Sequence, residues 1–267
     1  LSFQLGAWLK KEEAMNYECI IYEKREGVAI IKLNRPQVLN AMNKQLWLDL
    51  QDALEDSLGD ETIKAVIFTG EGRAFSTGAD LKDSKGRTLA AYRDYLVHLQ
   101  EISREIIRFP KPIIAAVNGY ALGSGYELSL ACDIRIAAES AKFGSPEARV
   151  SSSVTGGAMR LLQDLVGPGK AKELLFTCDY IDGKEAARIG LVNKAVPDDK
   201  LMDEAMDMAR KITENSAFSI NLIKKGLNMA HEVSLEALMD YEVEACLATV
   251  SAPERQDKLE EFAKRKK

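Results

Sequence analysis

Two carboxylates and three glycine-rich turns carry the chemistry this sequence can offer. Glu127 ends the stretch Asn118-Gly119-Tyr120-Ala121-Leu122-Gly123-Ser124-Gly125-Tyr126-Glu127, and Glu147 ends Lys142-Phe143-Gly144-Ser145-Pro146-Glu147. A third turn, Gly70 to Leu81, holds Gly72, Gly78, Ala79 and Asp80. A paired acid and base move protons, and glycine lets backbone N–H groups approach a ligand closely. Free N–H groups where such a turn opens a helix hold negative charge. Each glutamate alone has a plainer reading. Glu127 suits the first turn of a helix, where a carboxylate is favoured by the dipole. Glu147, after a proline, suits an exposed helix start. Spacing alone does not bring the two together.

Other chemistries are excluded. Gly123-Ser124-Gly125 lacks the third glycine of a dinucleotide site, and Gly167-Pro168-Gly169-Lys170 lacks the framing of a P-loop. Leu122 breaks a Gly-x-Ser-x-Gly elbow at Ser124. His98 and His231 are the only histidines, and both fit ordinary helix positions. Cys19, Cys132, Cys178 and Cys246 are too dispersed for a zinc knuckle or a redox pair. The net charge of −5 argues against nucleic acid as a partner, although Lys264-Arg265-Lys266-Lys267 is locally basic. No apolar run is long enough to span a membrane. Leu1–Ala14 lacks the features of a signal peptide and is expected to be an extension or expression remnant, with Met15 as natural start and the cytoplasm as location.

The elements that must position these turns alternate between short strands and helices, which predicts an α/β fold. Strands are expected at 20–22, 28–33, 65–68, 113–117 and 133–137. Asn43 is expected to cap a helix burying Leu46, Trp47, Leu50, Ala53, Leu54 and Leu58. A long amphipathic helix is expected over 89–108, ended by Pro110 and Pro112. From about residue 200 the pattern is helical, over 198–211, 217–229, 235–247 and 253–266. With 267 residues, 46% of them hydrophobic, the chain fills one large domain with a helical appendage. The expected organisation is an extension at 1–14, a core with the site at 15–199, and a helical region at 200–267.

At the three turns the sequence resembles the crotonase superfamily, the enoyl-CoA hydratase/isomerase family. Lys32-Leu33-Asn34-Arg35-Pro36 with Leu39-Asn40-Ala41-Met42 resembles its opening motif, and Ala74 to Leu81 its first substrate loop. The most specific match is Lys111 to Gly119 followed by Gly123-Ser124-Gly125-Tyr126-Glu127-Leu128, continued by Cys132-Asp133 and Phe143 to Glu147. The resemblance runs from about Tyr17 to the C-terminus. It implies a crotonase-like spiral of ββα units with a helical C-terminal trimerisation region, a trimer or a hexamer made of two trimers. It also implies an acyl-CoA substrate and neither metal nor separate cofactor, coenzyme A entering with the substrate.

The same resemblance implies an oxyanion hole from the backbone N–H groups of Ala79 and Ser124, and contacts to the substrate and its CoA from Ala79, Asp80, Leu81, Lys82, Gly123 and Ser124. Lys82 equally suits a solvated loop. Retention of both glutamates implies hydration of a 2-enoyl-CoA, Glu127 activating water and Glu147 protonating the α-carbon. Isomerisation, hydroxyacyl-CoA dehydration and thioester hydrolysis are the nearest alternatives, and a non-catalytic or RNA-binding homologue is one of a different class. Three features depart from the family pattern. Ser124 stands for a usual glycine. Tyr126 stands where cysteine is common and is expected to add bulk beside Glu127. After Glu147 a glycine-proline-rich turn is replaced by Ala148 to Leu161, which holds Ser151-Ser152-Ser153 and Val154-Thr155-Gly156-Gly157. These changes point to a polar or cyclic acyl group.

Overall fold

The computed structural model describes residues 17–80, 82, 86–252 and 255–265. The expected extension at 1–14, with Met15, lies outside the described residues. The chain begins as a hairpin, β1 (Ile20–Arg25) antiparallel to β2 (Val28–Leu33), turning at Glu26-Gly27. Helix α1 (Lys44–Gly59) follows, capped by the Asn43 side chain, which accepts from the Leu46 amide at 3.0 Å. Its core face is the expected one up to Leu54; at the helix end Ser57 takes the buried position, and Leu58 is 46% exposed.

A repeated unit then takes over. A strand enters a large sheet, the next short strand enters a second sheet, and a helix returns the chain. The units are β3 (Ala65–Gly70), β4 (Ala74–Ser76) and α2 (Leu89–Arg108); β5 (Ile113–Val117), β6 (Tyr120–Leu122) and α3 (Ser124–Ala131); and β7 (Ile134–Ala138), β8 (Lys142–Gly144) and α4 (Ala158–Thr177). Next come β9 (Ile181–Asp182), α5 (Gly183–Arg188) and β10 (Lys194–Val196). The large sheet has the order β1-β2-β3-β5-β7-β10 and is parallel from β2 onward. The small sheet has the order β4-β6-β8-β9. This is the α/β spiral of ββα units that the resemblance implied.

β3 and β5 are buried along their whole length, which is why their sequences are unbroken rather than alternating. Helix α6 (Leu201–Thr213) lies across β2, β3, β5 and β7 through Leu201, Ala205, Met206 and Ala209, so the core layer extends past residue 200. Helices α7 (Ala217–Met229), α8 (Leu235–Val250) and α9 (Arg255–Arg265) follow. α8 has no buried residue. No helix among the described residues is long and apolar enough to cross a membrane.

One buried ion pair fastens α7 to the sheet. Lys224 Nζ lies 2.7 Å from Asp133 Oδ2, and that same oxygen accepts from the Ile113 amide. Lys224→Ala leaves Asp133 buried without its cation, so a loss of about 3–5 kcal/mol in unfolding free energy is expected. Urea denaturation checks this; a midpoint equal to wild type would show that α7 docks without the pair.

Candidate active site

The small sheet assembles the site. β4, β6 and β8 run parallel, with Ala74 opposite Tyr120, Ala121 opposite Phe143 and Leu122 opposite Gly144. Parallel neighbours about 4.8 Å apart end at one edge, so the segments that follow them must meet there. These segments are Thr77–Asp80, Gly123–Glu127 and Ser145–Glu147. The expected loops are therefore half strand, and the strand halves bring the turns together.

Backbone contact at this edge leaves no room for side chains. A Cβ on Gly78 would stand 2.8 Å from the Leu122 carbonyl oxygen and 2.9 Å from the Ser124 amide nitrogen. Gly123 has φ +52°, and a Cβ there would stand 2.9 Å from Glu147 Oε1. Ser124 opens α3, where the first N–H groups have no partner within the helix. Ala79 forms a parallel bridge with Met42 in which the bonds are made by the Gly78 carbonyl and the Asp80 amide. The N–H of Ala79 consequently turns away from Met42.

Glu127 sits in the opening turn of α3 and is 4% exposed. Thr155 holds both its oxygens: the amide donates to Oε1 at 2.5 Å and the hydroxyl to Oε2 at 2.7 Å. Burial pushes the Glu127 carboxyl above its usual range, while the Thr155 amide, the Thr155 hydroxyl and the Ser124 hydroxyl pull it back. At the far end of α3, buried Arg135 donates to the carbonyls of Ser129, Leu130 and Cys132. The short helix thus has an anion near its start and a cation at its end, both favoured by its dipole.

Glu147 opens a 3-10 turn, Glu147–Val150. Its Oε2 is enclosed without a hydrogen-bond partner. Burial raises its pKa, its own backbone N–H pulls it partly back, and the negative charge of Glu127 adds a smaller upward push. The structure therefore brings together a buried carboxylate, Glu127, and a half-buried one, Glu147, both of raised pKa, beside the Gly123–Ser124 backbone, an arrangement suited to proton transfer.

Asp80 is held by Arg35, with Nη1 and Oδ2 3.0 Å apart. Asp80 Oδ1 accepts from the Lys82 amide, and Lys82 is exposed. Leu81 lies outside the described residues. Beneath this turn is a group without a role in the sequence reading. Buried Asn40, at φ +55°, accepts from the Arg35 amide and donates to the carbonyls of Glu71 and Ala74. Its own carbonyl accepts from the Ser76 hydroxyl, which in turn accepts from the Gly78 amide. Asparagine tolerates this conformation, the one local signal that marked it. Thr155 also had no role, because nothing local ties it to a glutamate 28 residues earlier.

Tyr126 corrects an expectation. Its ring is 2% exposed and meets Phe143 edge-on at 6.1 Å, so its bulk fills the core. The serine-rich segment does border the site. Ser152 and Ser153 line a cavity of about 360 Å³ together with Glu147, Ser145, Gln163 and Lys172, among apolar Met159 and Phe176.

With the geometry in place, comparison with known proteins is informative. The enoyl-CoA hydratase/isomerase family model matches residues 23–267. A crotonyl-CoA hydratase of Syntrophomonas wolfei is 40% identical over 88% of this chain and 92% of its own length. A short-chain-enoyl-CoA hydratase of Clostridium acetobutylicum is 35% identical over 95% and 97%. The crystal structure of an enoyl-CoA hydratase from Bacillus anthracis superposes with a TM-score of 0.90 at 34% identity, covering 93% of this chain and 97% of that one.

The raised pKa of Glu147 has a consequence for stability. Its contribution is full below the unfolded value of 4.5 and is lost as pH rises through the higher folded value. Glu147→Gln is therefore expected to unfold at a higher temperature than wild type at neutral pH, with the gap closing as the pH falls to about 4. Thermal melts at both pH values check this, and a less stable variant at neutral pH would contradict it.

Proposed function

The chain belongs to the enoyl-CoA hydratase/isomerase family, and we propose that it adds water reversibly across the α,β double bond of a 2-enoyl-CoA to give the 3-hydroxyacyl-CoA. The observation that carries this reading is the pair of glutamates, Glu127 buried and Glu147 half-buried, flanking the Gly123–Ser124 backbone. Glu127, ionised, takes a proton from water as its oxygen attacks the β-carbon. The electron pair of the double bond moves toward the thioester oxygen, which accepts from the N–H groups of Ala79 and Ser124. Backbone donors of this kind are each worth ~2.7–4 kcal/mol in a transition state. Glu147, protonated, gives its proton to the α-carbon, and a proton passing from Glu127 to Glu147 resets the pair. Dehydration is the same path reversed. Isomerisation needs one carboxylate, and a non-catalytic role leaves unexplained a buried Glu127 beside a Glu147 with an enclosed, unpartnered oxygen.

The turn Ala79–Lys82 with Gly123 is assigned to the substrate and its CoA. In this assignment Asp80 holds the turn through Arg35, and Lys82 is placed to meet a phosphate. CoA arrives as part of the substrate, and no separate cofactor is proposed. The names of the crotonyl-CoA and short-chain relatives support a short acyl group. The cavity beside Glu147 is lined mostly by apolar side chains, and Ser152, Ser153 and Gln163 among them support acceptance of a polar substituent on that group. The cysteines are free and three are buried, which suits a reducing compartment such as the cytoplasm.

The helical region from residue 200 is assigned to assembly into a trimer or a pair of trimers. Leu235, Met239, Val243 and Leu247 are exposed on α8 at four-residue spacing, and Phe218, Ile223 and Leu227 are exposed on α7. A contiguous apolar stripe of this kind is a self-association surface. Light scattering should give a mass of three or six chains, and Val243→Asp with Leu247→Asp should lower it; a wild-type monomer would reject the assignment.

The activity itself is tested by the loss of conjugated enoyl-thioester absorbance from crotonyl-CoA. Wild type should consume it, and Glu127→Ala and Glu147→Ala should each be slower by ~10²–10⁴-fold. Retention of most activity by Glu127→Ala would favour isomerisation chemistry instead.

A further inference from the structure

We propose that Thr155 is a positioning group whose hydroxyl clamps Glu127 as the proton acceptor, aided by the nearby Ser124 hydroxyl, and so decides which glutamate of the pair acts as base; this rests on the hydration reading above. The geometry is asymmetric. Thr155 reaches Glu127 through two atoms, 2.5 Å to Oε1 and 2.7 Å to Oε2, so rotation of the carboxyl is stopped. The Ser124 hydroxyl, three residues earlier on the same helix, also favours the charged form. Two donors from Thr155, one to each oxygen, match an ionised carboxylate, which only accepts, whereas a carboxylic acid must also place its own proton.

Glu147 has the opposite surroundings. Its Oε2 is enclosed without a partner, its one donor is its own backbone N–H, and the charge acting on it is that of Glu127. Two carboxylates sharing a site cannot both ionise easily, so donors supplied to one leave the proton on the other. No other charge sets this order. Ser103 on α2, which like Glu127 faces Gly156, is uncharged, as is Ser76 on β4, which packs against Gly125 of the same helix, and no charged partner is among the causes of the Glu127 shift. Arg135 is engaged by carbonyls at the far end of α3.

The clamp depends on how closely the Ser151–Gly157 segment passes. Gly156, at φ +59°, lies so near that an added Cβ would stand 3.0 Å from Ser103 Oγ and 3.1 Å from Glu127 Cβ. This presses Thr155 onto the carboxylate. Both hydroxyls fall where this chain departs from the glycine-rich pattern of its family, at Ser124 and in the segment after Glu147.

The experiment compares wild type with Thr155→Val, Thr155→Ser and Ser124→Ala. Thr155→Val keeps the backbone donor and the shape but loses the hydroxyl. Its kcat on crotonyl-CoA should fall about tenfold, as for loss of a hydrogen bond to a charged group, with KM changed less than about twofold. The acid limb of kcat/KM should move to higher pH in Thr155→Val and in Ser124→Ala, and Thr155→Ser should restore both rate and profile. Carbon-13 NMR of carboxyl-labelled glutamate gives a readout independent of turnover. The resonance missing from Glu127→Gln should titrate at higher pH in Thr155→Val than in wild type. An unchanged titration and pH profile in Thr155→Val, or a Thr155→Ser variant as impaired as Thr155→Val, would overturn the proposal. Wild type inert toward enoyl-CoAs would sink the hydration reading instead, and the NMR titration would still decide the clamp.

Discussion

The parallel pairing of three strands of three residues each, β4, β6 and β8, is the constraint on which the site depends. Each ββα unit sends one strand into the large sheet and the next into the small one, so the winding itself delivers a loop per turn to the same edge. Because the strands are parallel, their following segments leave in one direction. β6 is central, which places Gly123 and Ser124 between the turn that carries Ala79 and the turn that carries Glu147. Short strands cannot hold such a sheet alone. Asn40 from beneath, and Asn118, which accepts from the Gly70 amide and donates to the Gly72 carbonyl, tie it to the rest of the chain.

Two opposing demands meet at that edge. Proton transfer is served by carboxylates withdrawn from water, and withdrawal disfavours their charged forms. The chain treats its two glutamates differently. Glu127 is surrounded by donors and lies near the start of a helix whose far end is capped by Arg135. Glu147 is enclosed with one oxygen unpartnered and with another carboxylate as its charged neighbour. The environments push two identical side chains toward different protonation states, the arrangement needed for one to take a proton while the other gives one. The backbone donors between them are supplied by the sheet edge, with no side chain committed to the task.

The surrounding frame keeps this edge rigid. β3 and β5 are wholly buried, α6 closes one face of the large sheet, and Lys224 and Asp133 fasten α7 to it. Stability therefore resides in the large sheet and function in the small one. Beyond α6, apolar side chains of α7 and α8, among them Phe218, Leu227, Met239 and Val243, are exposed.

The amino-acid sequence by itself determined the large elements. The unbroken apolar runs of β3 and β5, the Asn43 cap, and the helices over 89–108 and 217–229 are set by local pattern, and the structure places them there. It also marked Glu127 and Glu147 as candidates, and its motifs carried the family. What it left undetermined was relational. β4, β6 and β8 are too short for a period to register and are strands only because their neighbours pair with them. Tyr126 stands beside Glu127 in the chain yet points into the core, because successive helix positions face different ways. Thr155 and Asn40 act on groups 28 to 34 residues away, at distances no local spacing encodes. Only the tertiary structure decided that the two glutamates share one site, because their meeting is a property of sheet order and strand direction.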